Sequence, residues 1–230
     1  MQLPRPRGAP RRIPLWAWHM LAWQQSGRKG PRPSRAPARL PAWYHWWKIY
    51  RLARVKGQGS WAWRTYLAHI HAQQDAQARL DAVRHAITQW ARWGAAHEPV
   101  VHYTQGTSRD DYLHEPKGTL PLWTDCSGFV TYCYWASGTP DPSGLNYQYV
   151  GFTGTLLENA QKHGRILFDV SQAKPGDPIV IGPGSGWHAV VVLEAGADPL
   201  VASHGSESGP KIERLSLDPR RPKRVCQTLN

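Results

Sequence analysis

Cys126 stands in the run Asp125-Cys126-Ser127-Gly128-Phe129, and the residues after it are those of a helix. Phe129, Val130, Cys133, Tyr134 and Ala136 recur at buried-helix spacing, and Gly138 falls where such a helix stops. The spacing places Cys126 in the first helical turn, where N–H groups and the helix dipole favour a thiolate. A nucleophilic thiol also needs a base, and two histidines can supply one. His188 opens the apolar run 189–193, and His204 closes the run that starts at Leu200. Most free cysteines are small buried hydrophobes, and Cys133 is read that way. A cysteine at a helix start, a histidine opening one strand and a polar residue on the next make a less accidental set.

Those residues need a scaffold. From Gln73 to about Ala96, Leu80, Val83, Ile87, Trp90, Ala91 and Gly94 recur at three- and four-residue steps, predicting a helix with one buried stripe. Ala96-His97-Glu98-Pro99 ends it. The polar stretch after Tyr103, up to Pro121, reads as a loop. Pro175-Gly176-Asp177 is a turn before the short strand 179–181, and a Gly-rich loop at 182–186 leads into His188. A turn at 195–199 makes a hairpin of the next two strands, which brings His188 and His204 near each other.

The segments around Cys126, Pro175-Gly176-Asp177, His188-Ala189-Val190 and Ser203-His204 resemble, in that order, the NlpC-type (papain-like) cell-wall cysteine peptidases. The likeness covers roughly residues 80–215. Tyr103-Thr104-Gln105-Gly106 is similar to the upstream Tyr motif of that family, at a longer distance from Cys126. The segments 137–144 and 153–156, and the basic Pro/Trp repeats at the front, are similar to endolysins of phages infecting actinobacteria. The resemblance implies an α+β fold in which the nucleophile helix packs on a small antiparallel sheet. It implies Cys126 as nucleophile, His188 as general base and His204 as the residue orienting it. Asp125, Tyr103 and Ser127 would bind substrate or shape the oxyanion site, with no cofactor and no metal. The implied reaction is hydrolysis of an amide bond in a peptidoglycan stem peptide. An N-acetylmuramoyl amidase and an acyl transferase are alternatives on the same fold.

The 230 residues carry a net charge of +12, but unevenly. Fourteen Lys and Arg and no acid precede Asp75, so the front is +14 and the rest slightly acidic. Eight of the 13 Trp lie in the first 63 positions. The front also repeats: Ala9-Pro10 through Leu15-Trp16 lines up with Ala36-Pro37 through Ala42-Trp43 at an offset of 27. Each unit is an Arg/Pro lead followed by a short aromatic helix, too short to stand alone. Such helices must pack on one another or on an anionic surface. The organisation expected is a wall-binding repeat region at 1–64, a helical connection at 65–98 and the peptidase at 99–230.

Bacterial peptidoglycan and anionic wall polymers are the expected partners of a monomer, with no specific nucleic acid. A nucleic-acid-binding protein explains the basic front but not the ordered Cys and His motifs. A zinc hydrolase built on Cys126, His188 and His204 is a further alternative, opposed by the helix-start context of Cys126. No apolar run reaches the ~18 residues a spanning helix needs, and no signal peptide is expected. That fits release from a host cytoplasm to the wall, or carriage on a virion. Three cysteines are too few for a disulfide scaffold, and Cys226 in the basic tail reads as a loose surface thiol.

Overall fold

A computed structural model of the chain describes residues 14–25, 28, 32–33, 35, 37–41, 44–45, 47–48, 59–182, 187–205 and 209–229. It is an α+β protein that divides into two compact units, Met1–Ala76 and Gln77–Asn230. Among the described residues, no helix is long and apolar enough to cross a membrane.

In the first unit, helix α1 (Leu15–Gln25) carries the first repeat. Its Ala17, Met20 and Leu21 are buried with Tyr44 and Trp47 of the second repeat, against Trp16, Trp23 and Leu40. The repeat extends to the backbone. Ala17 N–H donates to the Pro14 carbonyl at 2.9 Å, and Tyr44 N–H, 27 positions on, to the Pro41 carbonyl at 3.0 Å. Each proline thus opens a helical turn, and the two aromatic turns bury one another.

The second unit is built on the C-terminal part of helix α2 (Gly59–Ala96), which begins earlier than the periodicity predicts and ends where it predicts. Ile87 and Ala91 are fully buried, with Leu80, Val83 and Trp90 packed beside them. The expected connection is therefore also a wall of the core. Gly94 is required there: a Cβ at that position would lie 2.4 Å from the Phe129 ring.

Strands β1 (Val101–Tyr103) and β2 (Leu122–Thr124) form a small parallel pair, and the polar stretch between them holds a 3-10 helix, Thr107–His114. Helices α3 (Cys126–Ala136) and α4 (Thr153–Lys162) follow, then strands β3 (Ile166–Leu167), β4 (Pro178–Ile181), β5 (His188–Glu194), β6 (Leu200–Ser203), β7 (Lys211–Arg214) and β8 (Lys223–Cys226). The six form one antiparallel sheet in the order β3-β8-β4-β5-β6-β7.

Alternation along the strands sorts the sheet into two faces. Val180, Ala189, Val191, Ala202 and Cys226 cluster with Phe129, Val130 and Leu156 of the helices. Ile179, Ile181, Val190, Val192, Val201 and Val225 cluster on the other face with Ala173 and Leu215. Cys226 is thus not a loose surface thiol. It is fully buried on β8, because the basic tail enters the sheet between β3 and β4 instead of trailing in solvent.

One polar anchor ties the unit together. The buried Asp177 carboxylate accepts the Lys174 N–H at 3.0 Å, closing the Pro175-Gly176-Asp177 turn, and pairs with Arg84 of α2 at 2.6 Å. Arg84 also donates to the carbonyls of Pro175 at 2.9 Å and Leu229 at 3.1 Å. Tyr134 of α3 donates to the Gly176 carbonyl at 2.8 Å. The turn therefore meets α2, α3 and the end of the chain.

Candidate active site

Helix α3 starts as the sequence predicts. Asp125 has extended backbone and caps the helix, its Oδ1 accepting the Gly128 N–H at 2.6 Å. Gly128 is pressed so closely to Thr124 that a Cβ there would lie 2.3 Å from its Oγ1. Phe129 is buried with its ring 5.8 Å from that of His204. Each residue of the motif beyond the cysteine therefore fixes where the helix starts and what it rests on.

Cys126 is 8% exposed and lines a cavity of about 480 Å³. Tyr103, His188 and Ser203 line the same cavity, as do Trp187, Gly205, Lys211, Glu213, Asp218 and Arg220. Three residues marked by their sequence motifs, Tyr103, Cys126 and His188, thus meet in one space. Backbone N–H groups of Ala189 and Ser127 are directed at the thiol, and the Arg220 cation lies nearby. These favour a thiolate, as expected at a helix start, but burial outweighs them. Burial, with the Asp125 charge beside it, pushes the Cys126 thiol up to about 11. The group at neutral pH is a thiol, and attack by its sulfur would require a base to take the proton.

His188 is buried, and its Nε2 lies 2.9 Å from Ser203 Oγ. The register explains the pairing: Ser203 sits opposite Val190, which shares a face with His188 two residues earlier. The hairpin forms as predicted, but the orienting contact expected from His204 is made by its neighbour. Successive strand residues point to opposite faces. The His204 ring lies instead on the helix side, 5.5 Å from Tyr103 and 5.8 Å from Phe129. Cys126, His188 and His204 consequently do not converge as three ligands of one metal would. Among the described residues no group of three or more His, Cys, Asp or Glu could hold a metal ion.

Asp125 and Ser127 are buried away from the cavity, joined to each other at 3.0 Å. Arg109, from the 3-10 helix, bonds Asp125 at 3.1 Å, Ser127 Oγ at 3.3 Å and the Gly151 carbonyl at 2.6 Å. Their observed part is to hold the start of α3. Nothing in the sequence marks Arg109 for this: it is one arginine in a polar stretch, 16 residues from its partner. Lys211, Glu213, Asp218 and Arg220 are likewise brought to the cavity by strand pairing and the loop before β8. Asp218 and Arg220 pair at 2.6 Å, and charge and hydrogen bonds from Arg220, with His188 nearby, help hold the Asp218 carboxyl below its ordinary value against burial.

No family model, curated protein or solved structure matches this chain.

Proposed function

We propose that the chain is a peptidoglycan hydrolase of the NlpC-type, papain-like class, which cuts an amide bond of the wall stem peptide with Cys126 as nucleophile and His188 as base. The observation that carries this reading is the shared cavity of Cys126 and His188, with the thiol at a helix start against the backbone of Ala189. The order of the motifs and the packing of α3 on an antiparallel sheet support it.

In the reaction His188 takes the thiol proton as sulfur attacks the amide carbonyl, forming a C–S bond and a tetrahedral oxyanion. The Cys126 N–H, at the helix start, is a donor suited to that oxyanion. The C–N bond then breaks as His188 returns the proton to the leaving amine; water, giving a proton to His188, attacks the thioester, and the C–S bond breaks to release the acid as that proton returns to the sulfur. The +14 front would hold the enzyme on a polyanionic wall, as in a phage endolysin or a virion-borne wall enzyme. The test is digestion of purified actinobacterial walls by wild type and Cys126→Ala, followed by fragment masses. Fragments with new stem-peptide termini from wild type alone are expected. Equal lysis by Cys126→Ala refutes the reading, and release of intact stem peptides from muramic acid assigns the amidase reaction instead.

A further inference from the structure

We propose that Arg109 is a positioning residue for Cys126: its guanidinium cancels the charge of the Asp125 cap, so that the carboxylate holds the start of α3 without opposing ionisation of the thiol. This rests on the thiol-hydrolase reading for its purpose, but the geometry is independent of it. Asp125 Oδ1 accepts three bonds, from the Gly128 N–H at 2.6 Å, the Ser127 hydroxyl at 3.0 Å and Arg109 Nη2 at 3.1 Å. The first two are local, and a neutral cap can accept them too, since asparagine caps helices about as well as aspartate. The third comes from the 3-10 helix and brings a cation, held in place by the Gly151 carbonyl at 2.6 Å. Both charged side chains are largely buried, so solvent screens the pair little. Among the described residues Arg109 Nε is also buried and donates to no acceptor. A buried donor without an acceptor costs stability, and the cap itself does not need one. What Arg109 adds at this point is its charge.

Charge is what the neighbouring thiol responds to. After burial, the Asp125 carboxylate is the strongest influence against ionisation of Cys126. The other ionisable groups around the thiol come from separate elements: Tyr103 of β1, His188 of β5, Lys211 and Glu213 of β7, and Asp218 and Arg220 of the loop before β8. Arg220 favours the thiolate directly. Arg109 acts instead on the charge that opposes it. Tyr103 registers the whole group: burial raises its phenol most, the Cys126 and Asp125 charges raise it further, and the Arg109 charge lowers it. Loss of the S–H proton therefore leaves a thiolate beside an ion pair with no net charge. Without Arg109 the same step would place two negative charges on adjacent residues.

The test is the pH profile of Cys126 alkylation by iodoacetamide in the full-length protein, followed on the Cys126 peptide by mass. The thiolate is the reacting form, so below its midpoint the rate follows the thiolate fraction. Arg109→Gln leaves Asp125 uncompensated and should slow alkylation about tenfold at about pH 8, the size of a one-unit shift. Asp125→Asn keeps the cap and leaves the Arg109 cation, so it should speed alkylation about tenfold. The double variant Arg109→Gln/Asp125→Asn should return to within about threefold of wild type, as should Arg109→Lys, which keeps the charge. A purely structural role loosens the start of α3 in both single variants and moves both rates the same way. Rate changes of the same sign in the two single variants, a double variant no faster than Arg109→Gln, or a lysine variant as slow as the glutamine one overturns the proposal. If Arg109→Gln does not fold, the other two single variants decide: faster alkylation in Asp125→Asn with near-wild-type alkylation in Arg109→Lys supports it, and any other result overturns it. Alkylation needs no wall substrate. If wild type fails to cut walls but the alkylation series is as expected, the hydrolase reading falls and the role of Arg109 stands.

Discussion

The two units differ in how far along the chain their tryptophans and charges find partners. In the front, rings pack on rings from a neighbouring repeat: Trp18 on Trp47 at 5.0 Å, Trp16 on Tyr44 at 5.5 Å. Its positive charges have no acid earlier than Asp75 to pair with. In the second unit, Trp90, Trp93 and Trp135 pack around Val101, Tyr112 and Tyr132, a cluster that flanks α3, and charges are buried in pairs. Arg84 meets Asp177 across 93 residues. The front is thus assembled from partners a repeat apart. The body uses charge to tie distant segments together.

The sharpest break between the units is chemical. Cys126→Ala should lower lysis of purified walls by at least about a thousandfold. Wall binding, attributed to the front, should survive in a pelleting assay; loss of both would remove the division of labour.

Next in size is the contrast between buried and exposed charge. Asp177→Ala leaves Arg84 uncompensated and should cost roughly 3–5 kcal/mol in urea denaturation. Arg39→Ala, at an exposed position in the front, should change stability by less than about 0.5 kcal/mol.

A third measurement isolates the front. Replacing Arg5, Arg7, Arg11, Arg12, Arg35 and Arg39 by glutamine should weaken wall pelleting about tenfold at low salt, the difference closing as salt screens the wall. Hydrolysis of a soluble stem peptide should be unchanged. Pelleting equal to wild type at low salt would show that the front charge does not bind walls.

A fourth contrast is a slope with pH, confined to the unit that holds the cysteines. Burial pushes Cys126 up to about 11, Cys226 up to about 12 and Cys133 higher still. Unfolded thiols ionise near pH ~8.5, so above that value the unfolded chain releases protons that the folded chain keeps. Stability from these groups is therefore complete below about pH 8.5 and falls as pH rises toward the folded values, by at most ~1.4 kcal/mol per thiol per pH unit. Denaturation midpoints between pH 8 and 10.5 check it, and Cys226→Ala should flatten the slope.

The sequence by itself determined what depends on neighbours along the chain. The cap and first turn of α3, the stop at Gly138, the Pro175-Gly176-Asp177 turn and the buried stripe of α2 follow from local hydrogen bonding and helical spacing. So did the hairpin that brings β5 and β6 together. Only the tertiary structure decided which residue of Ser203-His204 faces His188, because strand pairing sets a register and a one-residue difference reverses the face. It alone placed Cys226 inside the sheet, Arg109 beneath Asp125 and the charges of Lys211, Glu213, Asp218 and Arg220 around the cavity. The Cys126 thiol shows the same division. Its helix-start position, which favours ionisation, was legible in the sequence. The burial that overrides it depends on the sheet packed against the helix, and no local spacing contains that.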